Sequence, residues 1–150
     1  MGESEPCRDE LAIRGLVARY TDAVNRRDRD AWSATWADDG VWDMMGRAIE
    51  GRSSVVDTWS GAMAGLRFAF QLAHSGVVHV DGERGTGSWT LSELTEGPDG
   101  VAGMMVALYD DAYTRVSGEW LFARRKLNIL YAGPPDLSGH VFPAPVRSSS

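Results

Sequence analysis

The chain has 150 residues, of which 43% are hydrophobic and 24% charged, and this composition is typical of one ordinary globular domain. The net charge of −6 argues against a nucleic-acid partner, because proteins that bind nucleic acids present a basic face. The single cysteine, Cys7, excludes an internal disulfide, and no apolar run approaches the length of a membrane span. We therefore expect no membrane partner and a cytoplasmic location.

Apolar positions recur at helical spacing from Asp9 onward, and they predict a long first helix. Tyr20 lies on the buried stripe of this helix, and Asn25 lies just past its last turn. Residues 1–8 are polar, so we expect them to be disordered.

Two shorter helices and a strand are predicted next. Asp28 is a suitable N-cap for a short helix that carries Trp32. Residues 41–43 indicate a first strand, and Ser53 or Ser54 is a suitable N-cap for a third helix.

The pattern changes to alternation from Phe68 onward, which predicts strands. In the first of these strands one face is expected to hold Leu72, His74, Gly76, Val78 and Val80. Asp81-Gly82 is a hairpin signal, and the next strand, 85–94, carries Trp89.

A long hairpin is predicted over 101–131, with its turn at Ser117-Gly118 because glycine accepts the positive φ that a tight turn needs. Alternation assigns two sets of residues to the face that carries the polar groups. The first strand contributes Met105, Ala107, Tyr109, Asp111, Tyr113 and Arg115. The returning strand contributes Leu121, Ala123, Arg125, Leu127, Ile129 and Tyr131. Polar groups on a mostly apolar face need partners or a purpose, so we interpret this face as a wall of a small-molecule pocket.

The order of elements predicts an α+β domain in which a curved antiparallel sheet wraps around the long N-terminal helix. The domain should cover 9–131, and 132–150 should form a coil tail because it is rich in Pro, Gly and Ser. The opposite face of the hairpin is apolar, and we expect it to form a homodimer. Its residues are Met104, Val106, Leu108 and Ala112.

Three segments resemble the SnoaL-like branch of the nuclear-transport-factor-2-like superfamily. They are RYTDAVNRRDRDAWSATWADDGVWD, AHSGVVHVDG and YDDAYTRVSGEWLFARR. That superfamily includes scytalone dehydratase, ketosteroid isomerase, polyketide cyclases and a hexachlorocyclohexane dehydrochlorinase. The resemblance covers about 11–131 and implies a cone-shaped α+β barrel, but one such pocket hosts many reactions.

Two sets of catalytic residues follow from the resemblance. In the dehydratases and the dehydrochlorinase a strand His, paired with a helix Asp, takes the proton; His74 matches the His, but Asn25 stands at the Asp position. Asp111 matches a pocket carboxylate or His of the dehydratases, and Arg125 matches the pocket Arg of the dehydrochlorinase. In ketosteroid isomerase a Tyr and a protonated Asp form an oxyanion hole while another Asp is the base, and Tyr20, Asp111 and Asp43 match these.

The sequence thus predicts a cofactor-independent acid–base enzyme, a lyase or an isomerase or cyclase, acting on a hydrophobic cyclic or polyketide-like molecule. The alternative is a non-catalytic small-molecule-binding or structural partner protein of the same fold. His74, Asp111, Asp43 and Tyr20 are the catalytic candidates, and no metal site is expected because three scattered His give no ligand spacing. The expected substrate-binding residues are Asn25, Trp32, Trp42, Trp89, Tyr109, Tyr113 and Arg125.

Overall fold

The computed structural model describes residues 4–136 and 138–143. In that range three helices precede most of a seven-stranded sheet. The helices are α1 (Ser4–Arg26), α2 (Arg29–Ser33) and α3 (Arg52–Ala64). The strands are β1 (Trp36–Met44), β2 (Arg47–Glu50), β3 (Phe68–Asp81), β4 (Arg84–Glu96), β5 (Ala102–Val116), β6 (Glu119–Gly133) and β7 (His140–Val141).

The sheet is mixed rather than wholly antiparallel. Its strand order is β2-β1-β6-β5-β4-β3, with β7 added beside β6. All the pairings are antiparallel except that of β1 with β6, which is parallel. A parallel pair needs a long connection rather than a hairpin, and 74 or more residues separate these two strands, so local alternation could not reveal the pairing. The sheet remains open, with β2 and β3 at its edges.

Both ends of the predicted domain differ from the expectation. Residues 4–8, predicted to be disordered, extend α1 by one turn, and Glu5 in its first turn complements the helix dipole. At the other end β6 continues to Gly133 and β7 pairs with it, so part of the predicted coil tail is strand. Leu137 and residues 144–150 of that tail lie outside the described residues.

The starts of β1 and α3 also differ from the prediction. β1 begins at Trp36 instead of at residue 41, which makes it nine residues long. α3 begins at Arg52, with Gly51 in the N-cap position and no side-chain cap, so neither Ser53 nor Ser54 has the predicted role. The turn between β5 and β6 is confirmed: Ser117 and Gly118 have φ values of 52° and 83°, as a tight hairpin requires.

The core lies between α1 and the face of the sheet that it covers, which we call the inner face. Ile13, Leu16, Val17 and Tyr20 on α1 are each at most 2% exposed. Burial of one such side chain contributes about 1.5–3 kcal/mol, so this stripe holds the helix against the sheet. Within the described residues no helix is long and apolar enough to cross a membrane.

Irregularities in β3 and β6 change which side chains face α1. The pairing of β3 with β4 shifts between Ala73 and Gly76, so the two intervening residues interrupt the alternation. Leu72 and His74 therefore lie on the outer face, and only the later members of the predicted set, Gly76, Val78 and Val80, stay inside.

The pairing of β6 with β5 shifts twice. The first shift places Trp120 and Phe122 on the inner face, opposite to the prediction, and both are buried. The second pairs Tyr131 with Val106 on the outer face, where the segment around Pro134 and Gly139 covers it. Arg125, Leu127 and Ile129 lie on the inner face as predicted.

Candidate active site

A fully buried ion pair lies on the inner face of the two longest strands. Asp111 on β5 pairs with Arg125 on β6, and the guanidinium donates from Nε to Oδ1 at 2.8 Å and from Nη2 to Oδ2 at 3.1 Å. The Tyr113 hydroxyl donates to the same carboxylate at 2.9 Å and accepts from the Trp89 indole at 2.8 Å. Burial raises the pKa of Asp111, and Arg125 and Tyr113 oppose that rise. The hydrogen bonds that this carboxylate accepts come from Arg125 and Tyr113, which favours a structural role.

Aromatic rings enclose the Arg125 guanidinium. Its carbon lies 3.8 Å from the ring centre of Tyr109, 4.3 Å from that of Phe122 and 4.4 Å from that of Tyr20. Such contacts stabilise a cation that has left water. The guanidinium thus places a fixed positive charge beneath the two phenols.

The hydroxyls of Tyr20 and Tyr109 form a pair at the centre of the inner face. They lie 3.4 Å apart, and the Trp42 indole donates to the Tyr109 oxygen at 3.1 Å. Burial is the main reason that the pKa of each phenol is raised, and Arg125 opposes that rise. Both phenols are therefore neutral hydrogen-bond donors near neutral pH.

The three predicted wall tryptophans have different positions. Trp42 and Trp89 lie on the inner face and bind phenols through their indole N–H groups. Trp89 also covers Gly76, where a Cβ would come within 2.3 Å of the ring. Trp32 is completely buried and stacks on Trp59 with ring centres 4.6 Å apart, so it packs in the core between the helices rather than lining an accessible wall.

Asp43 does not face the phenols. On β1 it alternates with Trp42 and pairs in register with Lys126, on the outer side of the sheet. Its carboxylate accepts from Arg124 at 2.6 Å and from the Gly46 amide at 3.1 Å. The isomerase-like arrangement of Tyr20, Asp111 and Asp43 around one pocket is therefore not formed.

His74 and Asn25 do not form the predicted pair. The ring of His74 is exposed on the outer face, where Nε2 lies 2.8 Å from the Ser92 hydroxyl. Asn25 instead binds the backbone of Gln71, accepting from its N–H at 2.7 Å and donating to its carbonyl at 2.8 Å. Asn25 thereby ties the end of α1 to the edge strand β3.

One ionisable residue on the inner face was not among the candidates. Glu93 on β4 follows Trp89 and Leu91 on that face and is partly exposed. It accepts a hydrogen bond from the Gln71 side chain at 3.1 Å. The sequence did contain a signal, because an acidic residue stands where alternation predicts an inward apolar side chain.

The described residues thus define an open α+β cone whose interior combines aromatic rings, two neutral phenols and a buried guanidinium. Residues 5–126 match the family described as the SnoaL-like domain, and the chain belongs to that family. No curated protein sequence matches the chain.

Solved structures share the fold, which belongs to the nuclear-transport-factor-2-like class. Hexachlorocyclohexane dehydrochlorinase LinA-type3 from Novosphingobium barchaimii is similar, with a TM-score of 0.79, 20% identity and coverage of 93% of this chain and 97% of that one. A proposed scytalone dehydratase from Novosphingobium aromaticivorans has a TM-score of 0.81 and 17% identity, with all of both chains covered. A proposed dehydratase from Streptomyces avermitilis, described as NTF2-like, has a TM-score of 0.74 and 17% identity, with coverage of 81% of this chain and 97% of that one. At these identities the likeness concerns the fold.

Proposed function

We propose that this protein is an acid–base enzyme of the lyase or isomerase and cyclase type that acts on a hydrophobic cyclic molecule without a cofactor. The observation that carries the proposal is the pair of neutral phenols, Tyr20 and Tyr109, held beside the Arg125 guanidinium on an apolar concave face. The dehydratases and the dehydrochlorinase among the similar structures support this class of reaction.

The phenols supply what an elimination or isomerisation next to a carbonyl needs. Removal of the neighbouring proton places negative charge on the carbonyl oxygen, and a positioned O–H donor stabilises that charge. Because Trp42 already donates to the Tyr109 oxygen, the Tyr109 proton is directed away from the indole. The positive charge of Arg125 stabilises the same developing anion.

In this proposal a two-ring substrate binds along the inner face of β5. Met105, Ala107 and Tyr109 are successive inward positions, and Met105 is partly exposed whereas Tyr109 is 3% exposed. Met105 and Tyr109 are about 13 Å apart along the strand, at about 3.3 Å per residue. Ala107 between them is 1% exposed, so in this proposal the substrate enters beside Met105 and directs its carbonyl oxygen toward Tyr109.

The test is the dehydration of 3-hydroxy-1-tetralone, a bicyclic β-hydroxyketone that loses water to give fluorescent 1-naphthol. We expect saturable turnover by the native protein and a loss of about 10²–10³-fold in kcat in Tyr109→Phe, which removes one donor to the developing oxyanion. Tyr131→Phe is the matched control, since that hydroxyl lies on the outer face and binds Pro134 and Gly139. A native rate equal to the buffer rate would contradict the proposal for this substrate class.

A second function, non-catalytic binding of a similar molecule, is favoured by the positions of the predicted proton-transfer groups. His74 and Asp43 lie outside the cone, and the hydrogen bonds of Asp111 go to Arg125 and Tyr113. Unreactive 1-tetralone distinguishes the two functions when it is used with the turnover assay. Saturable quenching of tryptophan fluorescence that weakens in Trp42→Leu, without turnover of the hydroxyketone, would identify a binding protein.

A further inference from the structure

Glu93 is the carboxylate that the inner face offers to a small molecule. It forms a cross-strand row with Gln71 on β3 and Met105 on β5, at the level where Asn25 ties the end of α1 to the sheet. We call these three residues, Gln71, Glu93 and Met105, the rim row. Deeper positions on the same strands, Leu91 and Ala107, are at most 3% exposed, and Gln71 is 6% exposed, so the interior meets solvent at the partly exposed Glu93 and Met105.

The surroundings of Glu93 are those of a reactive carboxylate rather than of an ion pair. Its hydrogen-bond partner is the neutral Gln71 amide, and none of the salt bridges among the described residues includes it. Burial raises its pKa above the ordinary value of 4.5, and the Gln71 hydrogen bond opposes the rise. A carboxylate that is held back from full solvation is a stronger base than one in water.

Glu93 and the phenol pair lie on the same face of the sheet. The charge of Glu93 adds to burial in raising the pKa of both Tyr20 and Tyr109, so the three groups lie within electrostatic range. These two phenols and Gln71 are the polar groups that approach Glu93 from α1, β5 and β3. A molecule that binds at the partly exposed Glu93 and Met105 would therefore meet a base, with the phenols deeper on the same face.

We propose that Glu93 is the proton-transfer residue of this site and that Gln71 is its positioning residue. The inference rests on the proposed function, since it assigns the base for that reaction. In an elimination the Glu93 carboxylate takes a C–H proton, the C–H electrons form the new π bond and the leaving group departs with its own bonding pair. Glu93, now protonated, returns the proton to solvent or to the product.

The experiment uses 5-nitrobenzisoxazole, an apolar bicyclic probe of general bases. A carboxylate takes its C3 proton, the C–H electrons complete a nitrile, and the N–O bond breaks to give coloured 2-cyano-4-nitrophenolate. We expect saturable turnover by the native protein and a loss of about 10²–10⁴-fold in Glu93→Gln, the range that a general base contributes. Glu96→Gln is the matched control, because Glu96 lies on the same strand but pairs with Arg67.

The pH profile separates a catalytic role from a structural one. The rate should follow the deprotonated fraction and fall at low pH with a midpoint above 4.5, the ordinary glutamate value. Gln71→Met removes a donor that favours the charged form, so the midpoint should move to higher pH. A titration of ¹³C-labelled glutamate carboxyls by NMR should give the same midpoints, and Glu93→Asp should restore part of the activity that Glu93→Gln loses.

Each outcome decides the assignment. Turnover that is lost in Glu93→Gln and retained in Glu96→Gln, with both variants folded by circular dichroism, supports it. Equal turnover in the native protein and in Glu93→Gln would overturn the role of Glu93 and leave the proposed function standing. A native protein with no turnover of the benzisoxazole would also overturn the role of Glu93, whereas the proposed function is judged separately by the hydroxyketone.

Discussion

Among single residues, Arg125 is a buried cation whose burial cost is offset by an ion pair and by aromatic contacts. Its side chain is 2% exposed and that of Asp111 is completely buried, and two hydrogen bonds join them. Taking two ions out of water costs several kcal/mol each, so the pair is stable only because both partners are present and the rings of Tyr20, Tyr109 and Phe122 surround the cation. The Arg125 guanidinium thereby holds the rings of Tyr20 and Tyr109 in place.

Arg125→Met should lower the free energy of unfolding by about 3–5 kcal/mol, because Asp111 then remains as an unpaired buried charge. Arg124→Met is the matched control: its partner Asp43 is nearly buried, but Arg124 itself is half exposed, so the loss should be about 1 kcal/mol. Urea unfolding followed by tryptophan fluorescence measures both. The double variant Arg125→Met with Asp111→Leu should recover most of the loss, and equal losses in the two single variants would contradict this account.

Among the elements, β3 depends on its irregularity near residue 74. The two residues between Ala73 and Gly76, His74 and Ser75, displace the alternation and bring Gly76 under the Trp89 ring. Gly76 is required there because a side chain would occupy the volume of the ring. The irregularity thus sets the position of Trp89, whose indole binds Tyr113 and through it Asp111.

Gly76→Ala should destabilise the protein by about 1–3 kcal/mol, since the new Cβ would lie 2.3 Å from the nearest Trp89 ring atom and the ring must move. Gly61→Ala is the control: it lies in α3 with no atom within 4 Å of the added Cβ and should stabilise by about 1 kcal/mol. Thermal unfolding gives the signs, and near-UV circular dichroism reports the tryptophan environment. An unchanged thermal unfolding midpoint and an unchanged near-UV spectrum in Gly76→Ala would contradict this prediction.

For the whole molecule, the outer face of the sheet carries exposed apolar side chains. Phe70, Leu72 and Leu94 are 41%, 37% and 39% exposed there. The register places Val106 and Leu108 on the same face, as predicted. Monomers rarely expose an apolar patch of this extent, so we propose that a second copy of the chain covers it.

Sedimentation equilibrium at tens of micromolar should therefore give about twice the chain mass of 16.4 kDa. Leu72→Glu should shift the protein to monomer, because two carboxylates would meet across a twofold interface. Leu11→Glu is the control. Leu11 is 70% exposed on α1, which covers the inner face of the sheet, so this variant should leave the mass unchanged. A native monomer would remove this proposal.

Local patterns in the sequence were sufficient for the α+β class, the three helices and the hairpin turn at Ser117-Gly118. They also placed Tyr109, Asp111 and Arg125 on one face of the hairpin, because the alternation of β5 is unbroken over 107–113 and that of β6 from Arg125 to Ile129. For Tyr20 they predicted a position on the buried stripe of the first helix. The resemblance to the family added the fold but assigned the base to residues that the structure places elsewhere.

Only the tertiary structure decided the rest. Each extra residue in β3 or β6 reverses the face of every side chain beyond it, and the shift is visible only in the pairing with the neighbouring strand. For this reason His74 lies on the outer face and Phe122 lies on the inner face, opposite to the prediction. The parallel pairing of β1 with β6 turned Asp43 outward, and Glu93 became a candidate because the register aligns it with Gln71 and Met105 on the two neighbouring strands. Side-chain periodicity is a property of one strand, whereas register is a property of two, and the site depends on register.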